Sequence, residues 1–388
     1  MKNFLSLVKR EFQLFFQNKV LVMLFLGAPL MYGILVGAVY KKGTVTNIPI
    51  VVVDEDQTPL SRQLIDMFNE NEVIYVASIL HDNFQSREEA LRKEATVVVT
   101  IPKNFSADIN YNRPTEVTMF VNTSNTVTSN YAMMAVNVCA GTLKAGIQIK
   151  ALEKKGVPSY VASQQYEPFK TTIIKQNFRS GNYLYFMLPG VLLTVFQQVM
   201  MLGLALSFAS EFEKGTFHEL IAKSSNVLQL LLVKITPYLL MSVLIYALYY
   251  GYSLWYRMPL HIEGFAFWGS SLLFLLAVGF LGILFSLAIP NQLKATEILM
   301  VVATPSFILS GFTWPLSQMP NWVVSIANCI PLTHYLQIFR TLVIEHGTAD
   351  MVSHSIWGLA IIAIVTFVAS VGLLQWKISK AKKEILAK

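Results

Sequence analysis

Acidic residues and histidines are the side chains of this 388-residue chain with the chemistry to bind a metal. Asp54, Glu55 and Asp56 follow the apolar run "IPIVVV". Such carboxylates can bind a hard cation, but a solvated turn between a strand and a helix is the commoner reason for the pattern. Among the histidines only His346 and His354 are close in sequence, and they have no further ligand at zinc-site spacing. We therefore predict a turn at the acidic cluster and no metal site.

Covalent and ATP chemistry also lack their usual motifs. Cys139 and Cys329 are far apart and form no C-x-x-C pattern, which favours free thiols over a disulfide. The chain contains neither a G-x-S-x-G nucleophile motif nor a G-x-x-x-x-G-K-[ST] phosphate loop. We predict no catalytic residue, no metal and no cofactor in this chain, so any use of ATP requires a separate protein.

Composition indicates an integral membrane protein. Hydrophobic residues make up 54% of the chain and charged residues 14%, and the mean hydropathy is +0.50. The net charge of +7 comes from basic residues that cluster at the ends of apolar runs and form no stripe interleaved with aromatic residues. This distribution favours anionic lipid headgroups as partners and argues against nucleic acid.

Six apolar runs are long enough to cross a bilayer, which requires roughly 20 residues in a helix. The predicted fold is an α-helical integral membrane protein with six transmembrane helices and an extracytoplasmic α/β domain inserted between helices 1 and 2. Internal prolines at positions 29, 189, 237 and 305 are interpreted as kinks. The predicted spans are residues 20–40, 183–209, 227–250, 265–289, 298–314 and 356–376.

Basic residues before the first span and after the last span place both termini in the cytoplasm. Residues 1–19 are predicted to form an amphipathic helix in the inner membrane interface, and residues 377–388 a basic cytoplasmic tail. A packed helix of a cytoplasmic domain is the alternative for residues 1–19. The predicted apolar face carries Phe4, Leu5, Val8, Phe12, Phe15 and Phe16, and the polar face carries Lys9, Arg10, Gln13 and Gln17.

Residues 41–182 have the mixed pattern of a water-soluble α/β domain with a linker. Strands are predicted at "IPIVVV", "TVVVTIP" and "TEVTMFVN". Thr58 is positioned to cap a helix that has Pro59 at its first position. A second helix is predicted at "QSREEALRKEA", and a long one at about 128–155.

Residues 210–226, "SEFEKGTFHELIAKSSN", form a short charged segment between the second and third spans. Glu211, Glu213 and Glu219 surround Gly215 and Thr216. Thr216 and Glu219 have the spacing of a helix capping box. We predict a cytoplasmic helix here, although an ordinary turn between two spans fits the residues equally well.

One face of this predicted helix is apolar, with Phe217, Leu220 and Ile221 at helical spacing. Such a helix could present apolar side chains to a cytoplasmic partner. In the second span, Thr194, Gln197 and Gln198 could line a substrate path or bond neighbouring helices.

Four motifs of this chain resemble, in order and spacing, the membrane permeases of ABC transporters of the type-2 exporter class. "EFEKGTFHEL" is similar to the family's E-R-E-x-G-T-x-E-x-L loop, "LPGVLL" to its P-G, and "KITPYLL" to its G-K-x-x-P-Y. "SGFTWPLSQMP" with the later "PLTHYLQIFR" is similar to the family's segment after the fifth span. Phe212 stands where the family has a central arginine, Ser210 where arginine is frequent, and "IIKQNFRSGNY" where Y-N-P is frequent.

The resemblance implies that residues 210–226 are a coupling helix that docks on a separate ABC ATPase. Residues 315–355 would form an extracytoplasmic re-entrant region that gates the exit. The implied docking residues are Glu211, Glu213, Gly215, Thr216, Phe217, Glu219 and Leu220, and the implied outer-gate residues are Ser310, Gly311, Pro315, Pro320, Pro331 and Arg340.

The predicted function is the permease subunit of an ATP-driven exporter in the bacterial cytoplasmic membrane. ATP and Mg²⁺ would bind the ATPase, and a second copy or a related permease would complete a homodimer or heterodimer. Membrane lipids and an extracytoplasmic adaptor are the further partners considered. Low charge in the spans favours an amphiphilic, lipid-like or drug-like cargo, and the absence of Asp or Glu near the span centres argues against an ion-coupled transporter. The alternative is a membrane-anchored extracytoplasmic receptor or scaffold without transport.

Overall fold

The structure is a computed structural model that describes residues 2–386 except 168, 170, 175, 176, 178–180, 261 and 263. His261 and part of "IIKQNFRSGNY" therefore lie outside the described residues. The chain divides into two compact units. One unit is Thr44–Ile174, and the other combines Met1–Gly43 with Lys175–Lys388.

The first three helices precede the Thr44–Ile174 unit. They are α1 (Lys2–Gln17), α2 (Lys19–Val22) and α3 (Ala28–Val39), and a π-helical turn at Met23–Gly27 joins the last two. Pro29 has no backbone N–H to donate to residue 25, so the ordinary hydrogen-bond ladder cannot continue through it. The first predicted span is thus one helical segment with an irregular turn beside its proline.

The Thr44–Ile174 unit contains a four-stranded sheet in the order β2-β1-β3-β4. β1 pairs in parallel with β2 and β3, and β3 pairs antiparallel with β4. In chain order the elements are β1 (Ile48–Asp54), α4 (Pro59–Asn69), β2 (Ile74–Leu80), α5 (Ser86–Arg92), β3 (Val97–Ile101), α6 (Phe105–Asn110), β4 (Thr118–Val121), α7 (Thr126–Lys154) and α8 (Ser159–Tyr166).

The apolar run in β1 is buried on both faces, because helices cover both sides of a mostly parallel sheet. Residues 50–53 are 0% exposed. α4 starts as predicted, with Pro59 at its first position and the Thr58 hydroxyl accepting from the Ser61 N–H. β2 and α6 were not predicted, since β2 is an edge strand with only Ile74 fully buried and α6 is a single short turn of six residues.

The remaining helices all belong to the other unit. They are α9 (Tyr183–Glu213), α10 (Phe217–Lys223), α11 (Val227–Trp255), α12 (Gly264–Ala288), α13 (Gln292–Ala303), α14 (Ser306–Leu309), α15 (Asn321–Ala327), α16 (Pro331–Phe339) and α17 (Ser353–Leu386). α9, α11 and α13 each begin after an asparagine whose side chain accepts a backbone N–H of the first turn.

Seven segments of the described residues are long and apolar enough to cross a membrane, judged by length and composition. They are Lys19–Val39, Thr126–Lys154, Tyr183–Glu213, Val227–Trp255, Gly264–Ala288, Gln292–Leu309 and Ala349–Lys383. Six of them overlap the predicted spans, and the seventh is α7. The side chains of α7 that are buried belong to the apolar core of the Thr44–Ile174 unit, among them Ala132, Val136 and Leu143.

Prolines behave differently in different spans. Pro189 and Pro237 lie inside the continuous helices α9 and α11, as predicted. Pro305 lies between α13 and α14, and both it and Thr304 keep right-handed helical angles, so the spanning segment Gln292–Leu309 is interrupted there without ending, in agreement with the predicted kink. The fifth span also begins earlier than predicted, at Gln292, because Asn291 caps it.

The core of the larger unit is centred on α9, whose Phe196, Met200, Leu204 and Phe208 are all 0% exposed. α12 packs against both α9 and α17. A Cβ atom at Gly282 of α12 would lie 3.1 Å from the carbonyl oxygen of Met201. Glycine at this position therefore permits the close approach of α9 and α12.

α1 packs on α11, and most of its predicted apolar face is buried or half-buried. Val8 and Phe15 of that face are 9% and 3% exposed, and Leu5 and Phe16, at 64% and 55%, are its exposed members. Leu7, which was not predicted to belong to this face, is 1% exposed. The Phe15 ring makes an edge contact with Tyr238, at 5.6 Å between centroids. Arg10 of the predicted polar face is 22% exposed and forms an ion pair with Glu211. Tertiary packing decides which of two overlapping apolar stripes is buried.

Residues 310–352 form a series of short helices, and prolines start three of them. Pro315 precedes the 3-10 turn Leu316–Gln318, Pro320 precedes α15, and Pro331 is the first residue of α16. Gly311 adopts a positive φ of 76°. Arg340 donates to the Phe312 carbonyl at 2.8 Å and lies 4.9 Å from the centroid of that ring.

Ser310 is 1% exposed and accepts the Phe312 N–H at 3.3 Å. The residues predicted to form an outer gate thus lie in one folded segment, where Phe312 stacks on Phe186 of α9 at 4.9 Å. Their gating role remains a prediction.

Candidate functional site

Four charged side chains meet beside the start of α10, and we call this group the charged junction: Arg10, Glu11, Glu211 and Lys234. Arg10 and Glu11 come from α1, Glu211 from the last turn of α9, and Lys234 from α11. Glu11, Glu211 and Lys234 are 9%, 2% and 1% exposed. Buried charges are costly unless they are paired, so the arrangement must be well matched.

Lys234 is fully satisfied within the junction. Its ammonium group donates to Glu11 at 3.0 Å, to Glu211 at 2.8 Å and to the Ser207 carbonyl at 3.0 Å. A lysine has three N–H donors, so none is left for another partner. The Lys234 nitrogen also lies 5.3 Å from the centroid of the Phe208 ring.

Glu211 is the centre of the junction. Arg10 binds both of its carboxylate oxygens, at 2.7 and 2.9 Å, in a bidentate pair. The Thr216 hydroxyl donates to the same carboxylate. This hydrogen bonding with Glu211 raises the pKa of Arg10 above its ordinary value. The positive charges of Arg10 and Lys234 balance the negative charges of Glu11 and Glu211. The charged junction connects α1, α9 and α11 with Thr216, the residue before α10.

The sequence analysis missed Glu11 and Lys234, and it placed Arg10 on the polar face of α1 without a partner. Lys234 gave a usable signal, because a lone lysine within an apolar span needs a buried partner. Glu11 and Arg10 gave none, since adjacent charges in an amphipathic helix ordinarily face water.

The apolar face of α10 is buried in its own chain. Phe217, Leu220 and Ile221 are 5%, 1% and 6% exposed and belong to the main apolar core of the larger unit. The expectation that Phe217 and Leu220 would fill a partner's groove is therefore wrong. The predicted capping box between Thr216 and Glu219 is also absent, because the Thr216 hydroxyl is directed to Glu211 and makes no cap bond.

The exposed surface around α10 is polar and carries charges of both signs. His218, Glu219, Ala222 and Lys223 are exposed, as is Gly215, whose φ is +72° in the turn before the helix. Glu213 is also exposed and accepts the Gln292 N–H at 2.9 Å, which connects this turn to the start of α13. A partner that binds α10 would meet these side chains.

Phe212, at the position where the resembling permeases have an arginine, packs between two helices. Its ring lies 4.6 Å from that of Phe217, and the Lys377 ammonium of α17 lies 4.8 Å from its centroid. The aromatic ring thus joins α10 to α17 through packing.

The polar side chains of α9 are occupied by bonds within the chain. Thr194 donates to the Gly190 carbonyl at 2.7 Å, and Gln198 donates to the Ala303 carbonyl at 3.4 Å. Gln197 is 0% exposed; it donates to Ser306 at 3.2 Å and accepts the Leu332 N–H at 2.9 Å. This geometry favours helix-to-helix bonding over a substrate path for these residues.

The acidic cluster at the end of β1 accepts hydrogen bonds from the turn that follows it and from the start of α6, where the Ser106 N–H donates to Asp56 at 3.1 Å. Asp54 accepts the backbone N–H groups of Asp56 and Gln57 at 3.2 and 2.9 Å, and the Ser61 hydroxyl at 2.9 Å. Within the described residues no group of three His, Cys, Asp or Glu side chains could hold a metal ion. Both cysteines are unpaired, with Cys139 buried and Cys329 exposed.

Comparison with known proteins gives a match across most of the chain. Residues 19–371 match the family model described as ABC-2 family transporter protein. The match includes both α9 and α11 and the turn between them, which hold Glu211 and Lys234 of the charged junction.

Individual relatives agree with this match. The probable multidrug ABC transporter permease YbhR of Escherichia coli K12 is 23% identical over 337 residues, which are 86% of this chain and 88% of the relative. ABC transporter G family member 20 of Dictyostelium discoideum is 24% identical over 371 residues, 87% of this chain and 45% of the relative. Nodulation protein J of Sinorhizobium fredii is 32% identical over 119 residues, 29% of this chain and 45% of the relative.

Proposed function

Because the chain belongs to the ABC-2 family of transporter proteins, we propose that it is the permease subunit of an ATP-driven exporter. A separate ABC ATPase binds the exposed surface of α10 and hydrolyses ATP. A second permease chain, identical or related, completes the transport path. The cargo is amphiphilic, lipid-like or drug-like, and the relative named as a probable multidrug permease supports this class.

The charged junction is the observation that carries the proposal. It joins the residue before α10 to α1, α9 and α11 through the carboxylate of Glu211. Movement of α10 is therefore transmitted to two long membrane helices through short, charge-assisted hydrogen bonds. A loop that only connected two spans would need no such network.

The proposed topology has six spans, with α10 and both termini in the cytoplasm. α7 is assigned to the Thr44–Ile174 unit outside the membrane. Its buried Ala132, Val136 and Leu143 support this assignment, because they complete the core around the sheet.

The test uses the exposed face of α10. Glu219→Lys reverses a charge and Ala222→Arg adds bulk and charge, and neither side chain is part of the packed core. The permease is purified gently from its own host, and we expect each variant to be present at normal amount. The amount of ATPase that co-purifies with each variant should be less than about a tenth of the amount that co-purifies with the wild type, the loss typical of an interface hot spot. Glu153→Lys, an exposed charge reversal in α7, is the matched control.

Equal retention of the ATPase by all three variants would contradict docking at α10. It would favour the alternative of a membrane-anchored receptor or scaffold, for which the Thr44–Ile174 unit would be the functional part.

A further inference from the structure

A cavity of about 600 Å³ lies between α9, α11 and α12. Drug-sized ligands bind pockets of about 300–1,000 Å³. Val243 and Leu272, 63% and 52% exposed, are part of its wall, so it opens to the surface of the spanning helices. In a membrane such an apolar surface faces lipid or another membrane helix. None of the described residues that line the cavity is Asp, Glu, Lys, Arg or His.

The less exposed side of the cavity, which we call the inner wall, carries the hydroxyl groups of Ser242, Tyr246, Tyr249, Tyr252, Ser253 and Ser271. Each of these O–H groups already donates a hydrogen bond within the chain. Four of them donate to backbone carbonyls at 2.6–2.7 Å: Ser242 to Leu239, Tyr249 to Leu192, Tyr252 to Leu30 and Ser253 to Tyr250. Each hydroxyl has one proton, so these groups can only accept a further hydrogen bond.

Two more hydroxyls of the wall belong to a chain whose direction can be assigned. Ser271 donates to the Phe267 carbonyl at 2.7 Å, so it must accept at its 2.7 Å contact with the Tyr335 hydroxyl. Tyr335 has then used its proton, and Tyr246 must donate across the 3.0 Å contact between the two tyrosine hydroxyls. The hydroxyl oxygen of Tyr246, a residue that lines the cavity, therefore keeps only lone pairs for a further bond.

The inner wall consequently accepts hydrogen bonds and donates none through its hydroxyls. The other two side chains of the wall that carry donors, Tyr250 and Trp268, are 53% and 56% exposed. A carboxylate in the cavity would lose its hydration without gaining a donor. A ligand with its own N–H groups would bond the free lone pairs, and the rings of Tyr246 and Trp268 favour a cation.

We propose that this cavity binds an amphiphile with a protonated amine on an apolar chain, and that the amine bonds the Tyr246 oxygen while the chain fills the apolar wall. The proposal rests on the export function above and specifies the cargo class and its site. The cargo enters from the surrounding lipid, within one permease chain.

The test measures binding by the full-length protein in phosphatidylcholine nanodiscs, which lack the anionic lipids that concentrate amines. The probe is dodecylamine with a photoreactive diazirine in its chain. We expect labelled peptides from α11 and α12. Unlabelled dodecylamine should compete with the probe at least tenfold better than dodecanoate. Dodecanol keeps a hydrogen-bond donor without the charge, and dodecyltrimethylammonium keeps the charge without a donor, so both should compete with intermediate strength. Label spread over all spans, or dodecanoate as the equal of dodecylamine, would overturn the proposal.

Two variants locate the site. Ala247→Trp fills the cavity, and Leu244→Trp places the same ring on the same helix at a residue that is 61% exposed and outside the wall. We expect Ala247→Trp to reduce labelling at least tenfold and Leu244→Trp to leave it unchanged.

A third variant tests the hydrogen bond to the amine. Tyr246→Phe should remove the advantage of dodecylamine over dodecyltrimethylammonium, a change of about tenfold, because a hydrogen bond to a charged group is lost. If Ala247→Trp does not insert, Tyr246→Phe decides, and an unchanged preference refutes the proposal.

The binding assay needs no ATPase, so it separates this proposal from the export function. Equal ATPase retention by the α10 variants and their control would remove the export function and leave the cavity assignment standing. Normal labelling of Ala247→Trp beside normal ATPase retention would remove the cavity assignment and leave the function standing.

Discussion

A single lysine in an apolar helix determines whether the charged junction is electrically balanced. Lys234 is 1% exposed and bonds both glutamates of the group. At this scale the important property is complete pairing, because a buried charge without a partner costs far more than a paired one gains.

Lys234→Met should leave the junction with one uncompensated negative charge and lower the free energy of unfolding by about 3–5 kcal/mol. Adding Glu11→Gln restores neutrality, since Arg10 and Glu211 remain paired, and should recover part of the loss. Denaturant unfolding of the purified protein in mixed micelles measures both. Lys223→Met, at an exposed residue of α10, is the control and should change stability by less than about 0.5 kcal/mol. A double variant less stable than the single one would refute charge balance as the cause.

Gly215 permits the turn before α10 through its backbone conformation. Its φ is +72°, and a Cβ there would meet no atom within 4 Å. Gly215→Ala should therefore cost about 1–2 kcal/mol of unfolding free energy from backbone strain alone. Gly251→Ala, within α11 and also free of contacts, should instead stabilise by up to about 1 kcal/mol. If Gly215→Ala raised the thermal unfolding temperature, as Gly251→Ala is expected to, the positive φ of Gly215 would impose no strain on a side chain.

At the scale of elements, α7 is the helix whose composition and packing point to different environments. Its length and apolar content suit a span, while its buried residues complete the core around the sheet of its unit. A helix that packs an apolar face into a small domain can have the apolar content of a membrane span without entering lipid.

Residues 44–166 expressed alone should be soluble without detergent and show both helix and strand by circular dichroism. Residues 44–125, which lack α7, should aggregate or remain unfolded, because the sheet loses the side chains that cover it. Detergent dependence of the longer fragment would assign α7 to the membrane and contradict the six-span topology.

At the scale of the whole molecule, orientation determines which surface meets the ATPase. Cysteine labelling on cells without an outer barrier can test the orientation, provided that the native reactive cysteine is first replaced. Cys329 is exposed and would react, whereas Cys139 is buried.

In a Cys329→Ser background, Ser124→Cys should react with an impermeant thiol reagent, and Ser225→Cys should react only after permeabilisation. Both serines are exposed, so burial does not protect either one. Ser86 would be a poor site, since it is 9% exposed and bonds Asn83. Labelling of Ser225→Cys on intact cells would reverse the proposed orientation.

The sequence by itself predicted the membrane class, the six apolar runs, most strands of the α/β unit and the family, because these depend on composition, local periodicity and short motifs. It also predicted the Thr58 cap, which depends on neighbouring residues alone. Only the tertiary structure decided that Phe217 and Leu220 face inward and that the Thr216 hydroxyl turns to Glu211. The pairing of Glu11 with Lys234 joins residues 223 positions apart, and no local pattern encodes which buried charges will meet across so long a separation.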